Sequence, residues 1–232
     1  DEFTQQFGVA TYASLAEILA MPEIEGVIIT VPNDQHYTVA KQIAEAGKHI
    51  YTEKPISNIL ADGLRMEALQ KEHNVTMTVG HSARLLKGIQ MMKNNLDDGS
   101  LGKLAFIEAN FSNERALELP PDTWRWYRDR APGGPLSQLA SPMFDSLHYL
   151  GGDVDGISAM ASKLSPVGAE VDDQSMSTVR FKNGVLGYVG SCWTSPGIFS
   201  TRVFAQAGLM HFELDFASWD EPENLHKSSS LY

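Results

Sequence analysis

The sequence predicts an α/β chain: part of a doubly wound parallel sheet, followed by an α+β domain with a large, open, mostly antiparallel sheet. Three observations predict it. From Ser14 to Gly80, helix-periodic and strand-like segments alternate with little slack, and strands joined by whole helices pair in parallel through right-handed crossovers. After about Leu85 the alternation gives way to a run of strands, the pattern of a separate α+β unit. The apolar share, 43% of 232 residues, is enough for two cores of ordinary size. The expected domains are therefore residues 1–85 and 86–232.

Ser14 and Glu17 stand at capping-box spacing, and Leu15, Ile18 and Leu19 form the apolar stripe of a short helix ended near Pro22. Residues 26–32 are nearly all apolar, as in a parallel strand buried on both faces. Asn33 or Asp34 can cap the next helix, whose apolar positions Val39, Ile43 and Ala46 recur at helical spacing and which Gly47 ends. Residues 49–52 read as a second strand closed by Glu53-Lys54-Pro55, residues 58–73 as a long helix, and residues 75–79 as a third strand stopped by Gly80.

In the second domain a helix over 87–97 leads through Gly99 and Gly102 into a strand over 103–111. A loop rich in Trp, Arg and Pro spans 120–135, and a helix over 141–150 follows. Strands are expected over 157–164, 173–181, 185–193, 199–207 and 210–216, with Lys182-Asn183-Gly184 as a turn. The chain opens at Asp1 inside what reads as a helix, and the polar segment 221–232 stops as Ser229, Ser230, Leu231 and Tyr232 begin to read as another strand. Further chain is expected at both ends.

Composition excludes several functions. With 18 Lys and Arg against 29 Asp and Glu, the formal charge of −11 repels nucleic acid and anionic membranes. No apolar run has the ~18 residues of a membrane helix. The single cysteine, Cys192, cannot close an internal disulfide and suits a cytoplasmic protein. The seven histidines lack metal-ligand spacing, so no metal site is expected.

Dinucleotide folds place Gly-x-Gly-x-x-Gly after their first strand, because only glycine lets the backbone close on a pyrophosphate. None of the 19 glycines makes even a Gly-x-Gly pair. Gly80-His81-Ser82-Ala83-Arg84 approaches a nucleophile elbow, with Asp145 and His148 downstream, but Arg84 replaces the closing glycine. The competing reading of Ser82 is a small residue at a strand end. Glu53-Lys54-Pro55 closes a parallel strand at the sheet edge where α/β folds bind ligands, so Lys54 has a defined reach into a crevice. Taken alone, a surface turn lysine is the competing reading.

Taken together, Thr30-Val31-Pro32-Asn33 with His36, then Glu53-Lys54-Pro55, Gly80-His81, Trp124-Arg125, Gly133-Gly134 with Asp145, and Tyr149-Leu150-Gly151 resemble the Gfo/Idh/MocA family of NAD(P)-dependent oxidoreductases. The resemblance covers residues 12–216. It implies a Rossmann-type nucleotide domain over 1–85 and a substrate and oligomerisation domain over 86–232. It also implies hydride transfer between NAD or NADP and a carbon of a sugar, inositol or related polyol, in a homo-oligomer built through the open sheet. By that similarity Thr30, Pro32, Asn33, His36 and His81 lie along the cofactor, with Trp124 and Arg125 near it. Glu53 and Lys54 lie beside the nicotinamide, and Lys54 is the catalytic group.

Two positions depart from the family pattern. Its catalytic helix commonly carries an Asp and, four residues later, a His; here Gln138 and Pro142 stand there. Gln138 can hydrogen-bond a substrate hydroxyl but cannot take its proton, and Pro142 has no titratable group. Pro142 is acceptable at the first position of a helix capped by Ser141. The departures leave two competing functions: an impaired oxidoreductase, or a non-catalytic binding domain that kept the fold. A hydrolase using Ser82 is the third.

Overall fold

A computed structural model gives the protein's structure over residues 2–214 and 229–232. The chain divides into two compact units, Asp1–Gly80 and His81–Tyr232. The units meet slightly before Leu85, because the short 3-10 turn Ser82–Leu85 packs on the helix Ser141–Gly151 of the second unit.

The first unit runs α1 (Glu2–Phe7), α2 (Leu15–Leu19), β1 (Gly26–Ile29), α3 (His36–Glu45), β2 (His49–Thr52), α4 (Leu60–His73) and β3 (Met77–Val79). Ser14 caps α2 as its spacing predicts, accepting from the Glu17 amide at 3.4 Å. The three strands are parallel in the order β1-β2-β3, with Ile29 opposite Thr52 and Thr52 opposite Val79. Ile29 and Ile50 pack with Ile43 of α3 and Met66 and Leu69 of α4. α3 and α4 share that face; on the other, Ile28 is 70% exposed among the described residues.

The start of α3 also departs from expectation. Neither Asn33 nor Asp34 caps it; a 3-10 turn, Asn33–Gln35, intervenes and α3 begins at His36 with no side-chain cap. Pro32, at φ −55° and ψ 149°, keeps the chain extended up to that turn, which the Gln35 amide closes on the Pro32 carbonyl at 2.9 Å.

The second unit holds α5 (Lys87–Asp97), β4 (Leu104–Ser112), α6 (Arg115–Glu118), α7 (Ser141–Gly151), β5 (Val154–Ser162), β6 (Gln174–Phe181), β7 (Leu186–Cys192), β8 (Ile198–Ala205), β9 (Gly208–Leu214) and β10 (Ser229–Leu231). Positions 215 and 216 of the last expected strand lie outside the described residues. The sheet order is β10-β9-β8-β4-β7-β6-β5, antiparallel except for the pair β4–β7. α5 and α7 cover one face, where Ile89, Met92, Met143 and Leu147 bury against Ile107, Val179, Val189, Val203 and Phe212. Gly88 allows the close approach, since a Cβ there would stand 2.0 Å from the Phe212 ring. The opposite face is open, with Met160 82%, Met176 61% and Leu186 54% exposed.

α7 does not begin at a Ser141 cap. A π-helical turn, Leu136–Ala140, runs straight into it, and Ser141 is itself helical with a buried hydroxyl that has no hydrogen-bond partner among the described residues. The widened turn removes the demand that each residue donate four back, so Pro142, which lacks an N–H, fits without breaking the helical path.

Candidate active site

In the first unit, adjacent parallel strands end side by side, and most of the expected cofactor and catalytic positions follow those ends. Thr30, Pro32 and Asn33 follow β1, and Glu53 and Lys54 follow β2. Register holds the two ends level: Ile29 pairs with Thr52, and the Glu53 amide donates to the Ile29 carbonyl at 3.0 Å. On the far side of β2 the Gly80 amide donates to the Thr52 carbonyl at 2.8 Å. Neighbouring strands lie about 4.8 Å apart, so side chains from both loops serve one small volume.

Within that volume the Lys54 amide donates to the Glu53 carboxylate at 3.2 Å, which ties the glutamate back onto its own turn. Lys54 and Glu53 are half-buried and Thr30 is exposed. Asn33 is 4% exposed, and its side-chain Nδ2 is a buried donor with no hydrogen-bond partner among the described residues. A buried amide hydrogen left unbonded costs about 1–3 kcal/mol, so this donor is able to take a ligand oxygen.

The His36 ring is 0% exposed, and its two nitrogens contact the carbonyls of Pro55 and Val31, one in each strand-end loop.

The remaining expected residues belong to the second unit. His81 is its first residue and is half-buried. Trp124 and Arg125 occupy a 3-10 turn with the Arg125 guanidinium 4.4 Å from the centre of the Trp124 ring. Burial, and then the neighbouring Arg115 charge, lower the Arg125 pKa from its ordinary value. The next residue, Trp126, is core: it is 2% exposed, donates to the Pro120 carbonyl at 2.9 Å and meets Trp193 edge to face. Gln138 is buried in the π-helical turn, which packs on β4 and β7. Gly134 brings the loop before that turn against the Asp172 carbonyl, where a Cβ would stand at 2.2 Å.

The Ser82 hydrolase reading fails here. Its acid, Asp145, is held by the Arg84 guanidinium through two bonds of 2.5 and 2.6 Å, and its histidine, His148, is half-exposed and lies 3.6 Å from Asp153. The Arg84–Asp145 pair was not legible in the sequence, because its partners are 61 residues apart. Asp145 in turn raises the Arg84 pKa by that hydrogen bond, against the lowering effect of burial.

Residues 89–211 match the GFO/IDH/MocA C-terminal domain, and residues 1–81 match the NAD-binding Rossmann fold of the oxidoreductase family. The chain belongs to the GFO/IDH/MocA oxidoreductase family. It is 37% identical to an oxidoreductase of Desulfitobacterium hafniense assigned as NADPH-dependent, with a TM-score of 0.92 over 99% of this chain and 66% of that one. Levoglucosan dehydrogenase of Pseudarthrobacter phenanthrenivorans is 27% identical over 84% of this chain and 56% of its own. A structure of levoglucosan dehydrogenase with NADH and levoglucosan superposes with a TM-score of 0.85 at 26% identity, over 91% of this chain and 60% of that one. The chain spans about half the length of the curated relatives it matches. Among the described residues no helix is long and apolar enough to cross a membrane, and no cluster of His, Cys, Asp and Glu could hold a metal ion.

Proposed function

We propose that the protein is an NAD(P)-dependent oxidoreductase acting at a secondary alcohol or carbonyl carbon of a sugar or polyol, with Lys54 as its proton-handling group. The observation that carries this is the pair of level strand ends, Ile29 beside Thr52, from which the loops carrying Asn33 and Lys54 depart. The family's NAD-binding domain and the sugar dehydrogenase among the relatives support the cofactor and the substrate class.

The residues present fit a nicotinamide cofactor. Asn33 holds an unsatisfied buried donor at the C-terminal edge of a parallel sheet, where such folds bind ligands. When bound, the nicotinamide exchanges a hydride with the substrate carbon. Lys54 would bond the oxygen on that carbon, its ammonium form giving that oxygen a proton in the reducing direction and its neutral amine taking the hydroxyl proton in the oxidising one. Glu53, bonded to the Lys54 amide, limits how the turn presents the lysine. The test is NADH formation or consumption with levoglucosan and a polyol panel, with the Lys54 variant as control.

The cofactor contact has its own test. Asn33→Leu is expected to weaken NADH binding by about 2- to 10-fold, the net worth of one hydrogen bond, as read by nucleotide fluorescence. Unchanged affinity would remove Asn33 from the site. Wild-type affinity of this 232-residue chain is expected to be weak, since no Gly-x-Gly loop occurs in it to hold the pyrophosphate.

The open face of the second sheet is where we place a second copy of the chain. Met160, Met176 and Leu186 supply its exposed apolar surface, and Glu108 and Arg202, paired at 2.8 Å, supply both charges for a two-fold contact. Light scattering is expected to give a dimer or larger assembly and a smaller species for Met176→Glu. An identical mass for both proteins would place the interface elsewhere.

A further inference from the structure

His36 opens α3 and is fully enclosed, yet its ring is not simply packing material. Nδ1 lies 2.9 Å from the Pro55 carbonyl and Nε2 lies 3.0 Å from the Val31 carbonyl. Val31 stands between Thr30 and Pro32 in the loop that leads to Asn33. Pro55 directly follows Lys54, through a cis peptide bond. One ring therefore touches both strand-end loops of the candidate site.

We propose that His36 is a positioning residue: it donates from Nδ1 to the Pro55 carbonyl and so holds the Glu53-Lys54-Pro55 turn at a set distance from the loop carrying Asn33. The role follows from where the two contacts of the ring fall. The Glu53 amide ties the turn to Ile29, the Lys54 amide bonds the Glu53 carboxylate, and the Thr52 hydroxyl bonds the Glu53 carbonyl. A proline has no N–H to add. Its carbonyl oxygen still accepts, and the ring of His36 meets it. Carbonyl oxygens only accept, so each ring nitrogen needs a hydrogen to bond the one it faces; the proposal puts the hydrogen on Nδ1, facing Pro55. A histidine that only filled the core would need neither carbonyl, and an apolar side chain of that size would serve as well.

The proposal rests on the role given above to Lys54, but its test does not need activity. An asparagine amide nitrogen can reach about as far as imidazole Nδ1, and a glutamine amide nitrogen about as far as Nε2. His36→Asn therefore keeps a donor for Pro55 and loses Val31, His36→Gln does the reverse, and His36→Leu loses both. Hydrogen exchange is measured at the Glu53 and Lys54 amides, with the Ile50 amide, bonded to Thr76 at 2.9 Å, as the control within the same sheet. The expected result is exchange about 2- to 10-fold faster at Glu53 and Lys54 in the Gln and Leu proteins, near wild-type in the Asn protein, and unchanged at Ile50 in all three. Equal behaviour of Asn and Gln, or faster exchange at Ile50 to the same degree, overturns the proposal by reducing His36 to general support. Turnover read in parallel separates the two claims. A kcat lowered about 10- to 100-fold in the Gln protein, with KM for NADH held, ties the clamp to Lys54. A loosened turn with full turnover leaves the clamp standing and removes Lys54 from the chemistry.

Discussion

Lys54→Ala is expected to lower turnover by about 100- to 10,000-fold while NADH affinity stays within a few-fold of wild type, because a positioned proton-transfer group contributes on that scale. Lys54 follows β2 in a half-buried turn whose amides are already committed, so its removal takes away a side chain without cutting a backbone bond. A lysine serving only the turn would produce the opposite pattern: a lower melting temperature and near-normal kcat. Steady-state kinetics beside thermal melts distinguish the two, and wild-type turnover in the alanine protein would end the assignment. Lys54→Arg sharpens the result. Arginine keeps the charge but does not give up a proton near neutral pH, so a protein that recovers binding and not kcat points to proton transfer over charge alone.

The features legible in the sequence were those with local physical causes. The helix α5 was read to its ends, 87–97, and the Ser14 cap was read from its spacing to Glu17. The strand succession of the second unit followed from alternation and turn residues such as Gly184, which sits at φ +87°. Where the reading failed, the cause was non-local. Ser141 resembled an N-cap because the π-helical turn before it has no compositional signature. Around the candidate site, residue types were legible and their contacts were not. The loops carrying Asn33 and Lys54 follow adjacent strands, but the two carbonyls met by the His36 ring are set by the fold, and the pairing of Arg84 with Asp145 depended on the packing of α7 against the turn after Gly80.

Pro142→His is expected to raise turnover of the whole protein by about 100-fold or more, the scale of adding a positioned acid/base group. The residues around position 142 explain why the gain should be large. In the π-helical turn and α7 the titratable side chains are Asp145, His148 and Tyr149. Asp145 is bound at both oxygens by Arg84, and the Tyr149 ring lies against the Arg84 and Lys93 cations at 5.1 and 5.6 Å. His148 is six positions beyond Pro142, about 240° around the helix after a full turn is removed, and stands by Asp153 on the exposed side. Asp153 is itself held below the ordinary carboxylate range by Lys182 and then His148, so it is a poor proton acceptor. The Gln138 amide has no group that takes up a proton near neutral pH. On the proposed function, this helix therefore offers no free acid/base group, and the proton falls to Lys54. The substitution also restores a backbone N–H, but it puts a larger ring where Pro142 is buried, at a cost of roughly 1–3 kcal/mol if the neighbours cannot shift. Melting curves measured alongside the kinetics keep a packing defect apart from a failed rescue. A folded Pro142→His protein with no gain, from a parent that already turns over briskly, would mean that the proton leaves by a route that does not involve this helix.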